Sequence, residues 1–159
     1  MNDQKNYDFV IYGASGFTGK LVVEYAIAKY LDSEDISWAI AGRNIDKLNE
    51  LKKELNISDQ IEVLHVDSDD QSSVESLVKN TKCVLTTVGP YQLYGENIIR
   101  SCISSGTDYV DLCGEPGWMH KIIDECSEEA KSTGARIIFS CGFDLSLIHI
   151  SEPTRPLTI

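Results

Sequence analysis

The chain has 159 residues, enough for one domain with a sizeable core and too few for two ordinary ones. Its 25 acidic side chains against 14 Lys and Arg give a formal net charge of −11, which repels phosphate backbones and argues against nucleic acid as a partner. No apolar run approaches bilayer length, and the opening MNDQKNYDF lacks the apolar centre of a secretory signal, so a cytoplasmic or otherwise intracellular location is expected, with membrane or lipid association left open.

Apolar, β-rich runs alternate with segments of helical period. Residues 8–13 read as a buried strand, and residues 18–31 carry a helical stripe through Leu21, Val22, Tyr25, Ala26 and Leu31. Residues 36–42 form the second strand. Asn44 can cap a helix reaching about Leu55, with Ile45, Leu48, Leu51 and Leu55 on one face. Residues 61–67 are the third strand and 69–79 a short helix. Residues 83–89 are the fourth strand, followed by a helix over about 95–105 that Gly106 ends. Residues 109–114 are the fifth strand. The next helix, about 116–132, has Pro116 at its start and Gly134 beyond its end. Residues 135–142 are the sixth strand. Strands that alternate with helices and are apolar throughout predict a parallel sheet covered on both faces, an α/β, doubly wound Rossmann-type fold.

The stretch "IYGASGFTG" (residues 11–19) places three glycines between the first strand and the first helix. At the carboxyl edge of a parallel sheet, such a turn meets ligands. Gly13 can turn tightly out of the strand, Gly16 can let the backbone approach a pyrophosphate, and Gly19 can let the helix pack closely. The helix N-terminus offers unpaired amides and a partial positive charge, the local attraction that an acidic surface lacks. Gly13, Ala14, Ser15, Gly16, Phe17 and Thr18 are therefore the candidate pyrophosphate segment, with hydroxyls from Ser15 and Thr18. The spacing is G-x-x-G-x-x-G and no G-K-[ST] follows, so the turn is not a P-loop.

The second strand ends "AGRN" with no acid to hold a ribose 2′-hydroxyl. Arg43 can instead pair with a 2′-phosphate, which predicts NADP(H) over NAD(H). Asp67, at the end of the third strand, can accept from the adenine amino group or cap the helix that follows. Val88, Gly89 and Pro90, after the fourth strand, would lie at the nicotinamide side, with Tyr91 and Tyr94 projecting toward substrate and Tyr91 the candidate catalytic residue. Glu115 can act directly or cap the next helix.

The five cysteines, Cys83, Cys102, Cys113, Cys126 and Cys141, form no C-x-x-C pair, and reduced, mostly buried thiols are expected, with Cys113 the candidate for a reactive one. The histidines His65, His120 and His149 share no spacing. No metal is assigned, and His65 is expected in the core.

Together "GASGFTGKLV", "AGRN", "VGPYQLYGE", "YVDLCGE" and "CGFD" resemble the saccharopine dehydrogenase-like oxidoreductases, a group that includes trans-acting enoyl reductases, over about Tyr7 to Asp144. The resemblance implies an N-terminal NADP-binding Rossmann domain followed by a separate domain that shapes the substrate site and a homodimer. The match breaks after Asp144. There "LSLIHISEPTR" (residues 145–155) reads like an in-frame translation of a sequencing-library adapter. The expected organisation is a cofactor domain over 1–144 and a non-native, disordered tail over 145–159. Such a piece is expected to bind NADPH and to transfer hydride poorly, since nothing would close over the nicotinamide. A non-catalytic NADP-sensing or scaffold protein is the competing reading. An extended short-chain reductase would need a Y-x-x-x-K pair, which only Tyr25 and Lys29 supply, on the first helix and away from the expected site.

Overall fold

The computed structural model describes residues 5–31 and 33–142. Its elements alternate as the hydrophobic pattern dictates: β1 (Tyr7–Tyr12), α1 (Phe17–Tyr30), β2 (Trp38–Gly42), α2 (Ile45–Glu54), β3 (Glu62–His65), α3 (Gln71–Asn80), β4 (Thr81–Thr86), α4 (Tyr91–Tyr94), α5 (Glu96–Ser104), β5 (Asp108–Asp111), α6 (Pro116–Thr133) and β6 (Ile137–Ile138). All five strand pairings are parallel, in the order β3-β2-β1-β4-β5-β6. From β1 the chain builds outward to β3, then restarts on the other side with β4. That reversal opens a crevice above the C-terminal ends of β1 and β4. The expected doubly wound α/β sheet is present. The expected boundary at residue 144 and the tail over 145–159 lie outside the described residues.

Alternation along the strands divides the core in two. Val10, Tyr12, Ala39, Ala41 and Val84 face α3, α5 and α6, meeting Val74, Val78, Ile99, Ile103 and Ile122. Ile11 and Ile40 face the other way, against Val23 and Ala26 of α1 and Leu48 and Leu51 of α2. Both faces are thus sealed, and only strand ends and connecting turns remain to form a site. Two local features set where α1 and α2 begin. Gly19 of α1 lies so close to the preceding turn that a Cβ there would sit 2.1 Å from the Gly13 carbonyl oxygen. The Asn44 side chain accepts from the Lys47 amide at 2.9 Å, which is the cap expected for α2.

Several expectations are corrected. His65 is exposed, because β3 is an edge strand that pairs only with β2. Asp67 does not cap α3. Asp70 does, accepting from the Ser72 amide at 3.0 Å, while Asp67 Oδ1 accepts from the Asp69 amide. The sixth strand shrinks from eight residues to two, and β4 starts and ends earlier than its apolar run suggests. The four-residue helix α4 was not anticipated. Cys113 is fully buried, and burial pushes its thiol up to about 11, so it stays protonated near neutral pH and is a poor nucleophile.

At the end of β5, Asp111 is buried and ties three segments together. Its Oδ2 accepts from Tyr109 Oη at 2.9 Å, and its Oδ1 accepts from the amides of Cys113 and Ser140 at 3.0 and 2.8 Å. Burial raises its carboxyl above the ordinary aspartate value, outweighing those hydrogen bonds.

Two measurements check this account. The folded state holds the Asp111 proton more tightly than the unfolded chain does. Its contribution to stability is therefore fully present below about pH 4 and is lost as pH rises through the raised folded value. Asp111→Asn keeps an oxygen for the two amides and cannot ionise. In urea titrations from pH 4 to pH 7, the stability difference should shift steadily against the wild type. A flat difference, or one moving in its favour, contradicts the assignment. Gly19→Ala should cost about 1–3 kcal/mol in the same assay, because the methyl group meets backbone that must shift. A neutral substitution would mean that α1 has slack.

Candidate functional site

The C-terminal ends of β1, β2 and β4 border a cleft of about 410 Å³. Its floor is the Gly13–Gly16 turn. Gly13 has φ +88°, a left-handed conformation that a side chain disfavours, and a Cβ there would lie 2.7 Å from Val88 Cγ2. The turn is fixed from both sides. The Gly13 and Ala14 amides donate to the Ala41 carbonyl of β2 at 2.9 and 3.3 Å, and Thr87 Oγ1 donates to the Gly13 carbonyl at 3.2 Å. The Gly16 amide closes back on the Gly13 carbonyl at 3.0 Å. Gly16 is also the N-cap residue of α1. It has no side chain to offer, and among the described residues no side chain caps this helix. The first-turn amides of Phe17 and Thr18 thus open at the rim with their partial positive charge uncompensated. No acidic residue lies in that first turn.

On the β2 side the cleft is lined by Arg43, Asn44 and Lys47. Arg43 and Lys47 are exposed, and among the described residues neither has an acidic partner within ion-pair distance. On the β4 side it is lined by Thr87, Val88, Gly89 and Tyr94, with Tyr12 and Ser68 behind. The Gly89–Pro90 peptide is cis. The crevice therefore has a cationic end, a floor made by the glycine turn and an uncharged, hydroxyl-bearing end.

Of the sequence candidates, Gly13, Ser15, Gly16, Arg43, Val88 and Gly89 line this one cleft. Ala14 is buried beneath the turn, and Phe17 and Thr18 are exposed at the start of α1. Asp67 and Pro90 flank the cleft without lining it; Ser68 takes the place beside Asp67. Tyr91 is the clear departure. It is buried, its Oη donates to the Thr86 carbonyl at 3.3 Å and accepts from the Leu112 amide at 3.1 Å, and burial pushes its phenol up to about 12. It braces β4 against β5 and does not project toward a ligand. Tyr94, one turn on, does line the cleft. Glu115 precedes α6 but does not cap it with its side chain; its carboxylate accepts from the Tyr91 and Gln92 amides and so caps α4. Sequence reasoning missed Lys47, Ser68 and Thr87. For Lys47 a signal existed: a helix capped by Asn44 puts residue 47 in its first turn, one helical step from Arg43.

Residues 9–138 match the saccharopine dehydrogenase NADP binding domain. The chain is 39% identical over 145 residues to the lipid droplet localized protein of Caenorhabditis elegans, covering 87% of this chain and 33% of that one. It is 36% identical over 152 residues to the saccharopine dehydrogenase-like oxidoreductase of Mus musculus, covering 89% and 35%. It is 39% identical over 141 residues to a putative trans-acting enoyl reductase of Mycobacterium tuberculosis, covering 88% and 33%. The chain thus spans about a third of the length of the curated relatives it matches. In fold it is similar to saccharopine dehydrogenase (L-Glu forming) from Saccharomyces cerevisiae, with TM-score 0.68 and 18% identity over 93% of this chain and 30% of that one. It is likewise similar to the triphenylmethane reductase of Citrobacter sp. complexed with NADP(H), with TM-score 0.59 and 18% identity over 82% of this chain and 48% of that one. A Rossmann sheet, an uncapped glycine turn at its crevice and a matched span of residues 9–138 agree: the chain belongs to the saccharopine dehydrogenase NADP binding domain family, and its cofactor is NADP(H).

Proposed function

We propose that the cleft holds NADP(H) in one defined orientation and that the longer protein is an oxidoreductase. Arg43 and Lys47 take the 2′-phosphate, the Gly13–Thr18 segment takes the pyrophosphate, and Val88, Gly89 and Tyr94 flank the nicotinamide. The observation that carries this reading is the pair of cations at the β2 end, which no acidic side chain among the described residues neutralises. In an acidic chain such a pair needs an anion from outside. The dianionic 2′-phosphate suits an Arg fork beside a Lys point charge. The opening amides of α1 then meet the pyrophosphate along the helix dipole.

When bound, the reduced cofactor supplies a hydride for an electron-poor carbon. The residues described here bind and orient it. Orientation matters because only a dinucleotide fixed at both ends presents one face of its ring reproducibly. Substrate binding and water exclusion fall to the remaining two thirds of such longer proteins, so this chain alone turns over poorly. The relatives' names include a saccharopine dehydrogenase-like oxidoreductase and a putative trans-acting enoyl reductase, and hydride exchange with a nicotinamide fits both names. An intracellular compartment fits five free thiols, three of them buried.

Calorimetric titration tests the orientation. The wild-type chain should bind NADPH at least tenfold more tightly than NADH. Arg43→Ala and Lys47→Ala should each weaken NADPH about tenfold, roughly 1.4 kcal/mol, and leave NADH unchanged. Tighter binding of NADH by the wild type, or equal weakening of both nucleotides in the variants, refutes the assignment of the 2′-phosphate.

A further inference from the structure

Glu115 stands just before α6, yet its carboxylate serves a different helix. One oxygen accepts from the Tyr91 amide at 2.6 Å and the other from the Gln92 amide at 2.9 Å. These are the first two amides of α4. That helix has four residues, and its own N-cap position is Pro90, which provides no side-chain acceptor. One turn of helix fixes several backbone dihedrals for very few internal hydrogen bonds, so it does not persist unaided. Its acceptors must come from elsewhere, and here they come from the β5–α6 connection. A carboxylate is the strongest neutralising group for amides at a helix start.

What α4 carries explains why this matters. The residues just before it, Val88 and Gly89, and the one that ends it, Tyr94, all line the cleft on the β4 side. The Gly13–Gly16 turn is tied to β2 through the Ala41 carbonyl and to the β4 side through Thr87, whereas the Arg43–Lys47 end is set by the Asn44 cap. The Arg43–Lys47 end thus shares no hydrogen bond with Glu115 among the described residues, and the Glu115 carboxylate acts on the β4 side of the cleft.

We propose that Glu115 is a positioning residue for the nicotinamide half of the cofactor: by capping α4 from the β5 side it holds Val88, Gly89 and Tyr94 as a fixed wall. This rests on the reading that the cleft takes NADP(H) with its adenine end at Arg43. Glu115 does not touch the cofactor and takes no proton in the reaction. Its effect is expressed through the order of the α4 turn.

The test uses the full 159-residue chain and two ligands, NADPH and adenosine 2′,5′-bisphosphate, which keeps the adenine end and lacks the nicotinamide. In Glu115→Ala the dissociation constant for NADPH should rise about tenfold, and that for the bisphosphate should stay within about twofold. Glu115→Gln keeps the shape and loses the charge. It should show the same selectivity at smaller size, and it carries the comparison should Glu115→Ala not fold. A general loss of structure would weaken both ligands together, so equal weakening overturns the proposal, as does unchanged NADPH binding. If the wild-type chain binds neither ligand, the cofactor reading has failed and this proposal with it. If the wild type binds both and the variants do not discriminate, only the role of Glu115 has failed.

Discussion

The approach of α1 to the turn that precedes it governs the rest of the molecule. Gly19 lies against the Gly13 carbonyl at a separation that leaves no room for a Cβ. That contact sets the angle at which α1 leaves the sheet. It places Gly16, a residue without a side chain, at the N-cap. A Ser or Asp there would satisfy the opening amides internally and end their availability. Close packing and an uncapped helix start are thus two results of one local choice. A cost in helix stability becomes a binding feature: the amides that α1 leaves unpaired are those that an anion can use.

The sheet order turns that feature into a site. Because β1 and β4 are neighbours while their following helices lie on opposite faces, no connection among the described residues crosses the space above them. A ligand reaching from β2 to β4 must pass over the Gly13–Gly16 floor. It meets Arg43 and Lys47 on one side and Val88 and Tyr94 on the other. The asymmetry of the crevice, cationic at one end and uncharged at the other, matches a dinucleotide whose extra phosphate sits at one end only. Net charge and local charge have opposite signs here. A chain at −11 repels anions at long range, and screening removes most of that beyond about 8 Å in physiological salt. What decides capture is the field within a few ångströms of the floor.

The parts of this architecture that were legible in the sequence are those that rest on period and on glycine. The continuous apolar runs and the helical stripes located all six strands and five of six helices, because strands buried on both faces and helices buried on one leave distinct apolar traces. The glycine turn was legible because backbone geometry demands that residue type. What escaped is what depends on partners distant in sequence. His65 sits in a run that reads as a buried strand, and only the sheet order makes it an edge. Tyr91 follows a glycine-proline turn at the expected rim, but its phenol turns inward to bridge the Thr86 carbonyl and the Leu112 amide, 21 residues along the chain. Asp67 and Asp70 are both plausible caps by type, and hydrogen-bond geometry separates them. Glu115 reads as a cap for the helix that follows it, and no local pattern signals that it caps α4 instead.

That last misreading exposes a general point about acidic groups near anion sites. A carboxylate close to a cleft built for phosphates should repel its ligand, and a chain with 25 acidic residues cannot keep all of them away. Here the charge is spent on two amides of the α4 start, so its field is compensated where it arises. Asp70 does the same with the Ser72 amide and hydroxyl, and Asp111 with the Cys113 and Ser140 amides. In each case the carboxylate at the carboxyl edge of the sheet is bound to a backbone donor. At the start of α1, by contrast, no acid stands in the first turn and no side chain among the described residues caps the Phe17 and Thr18 amides. The Glu115, Asp70 and Asp111 carboxylates are thus each bonded to backbone amides, while the start of α1 keeps its amides without an acidic neighbour in its first turn.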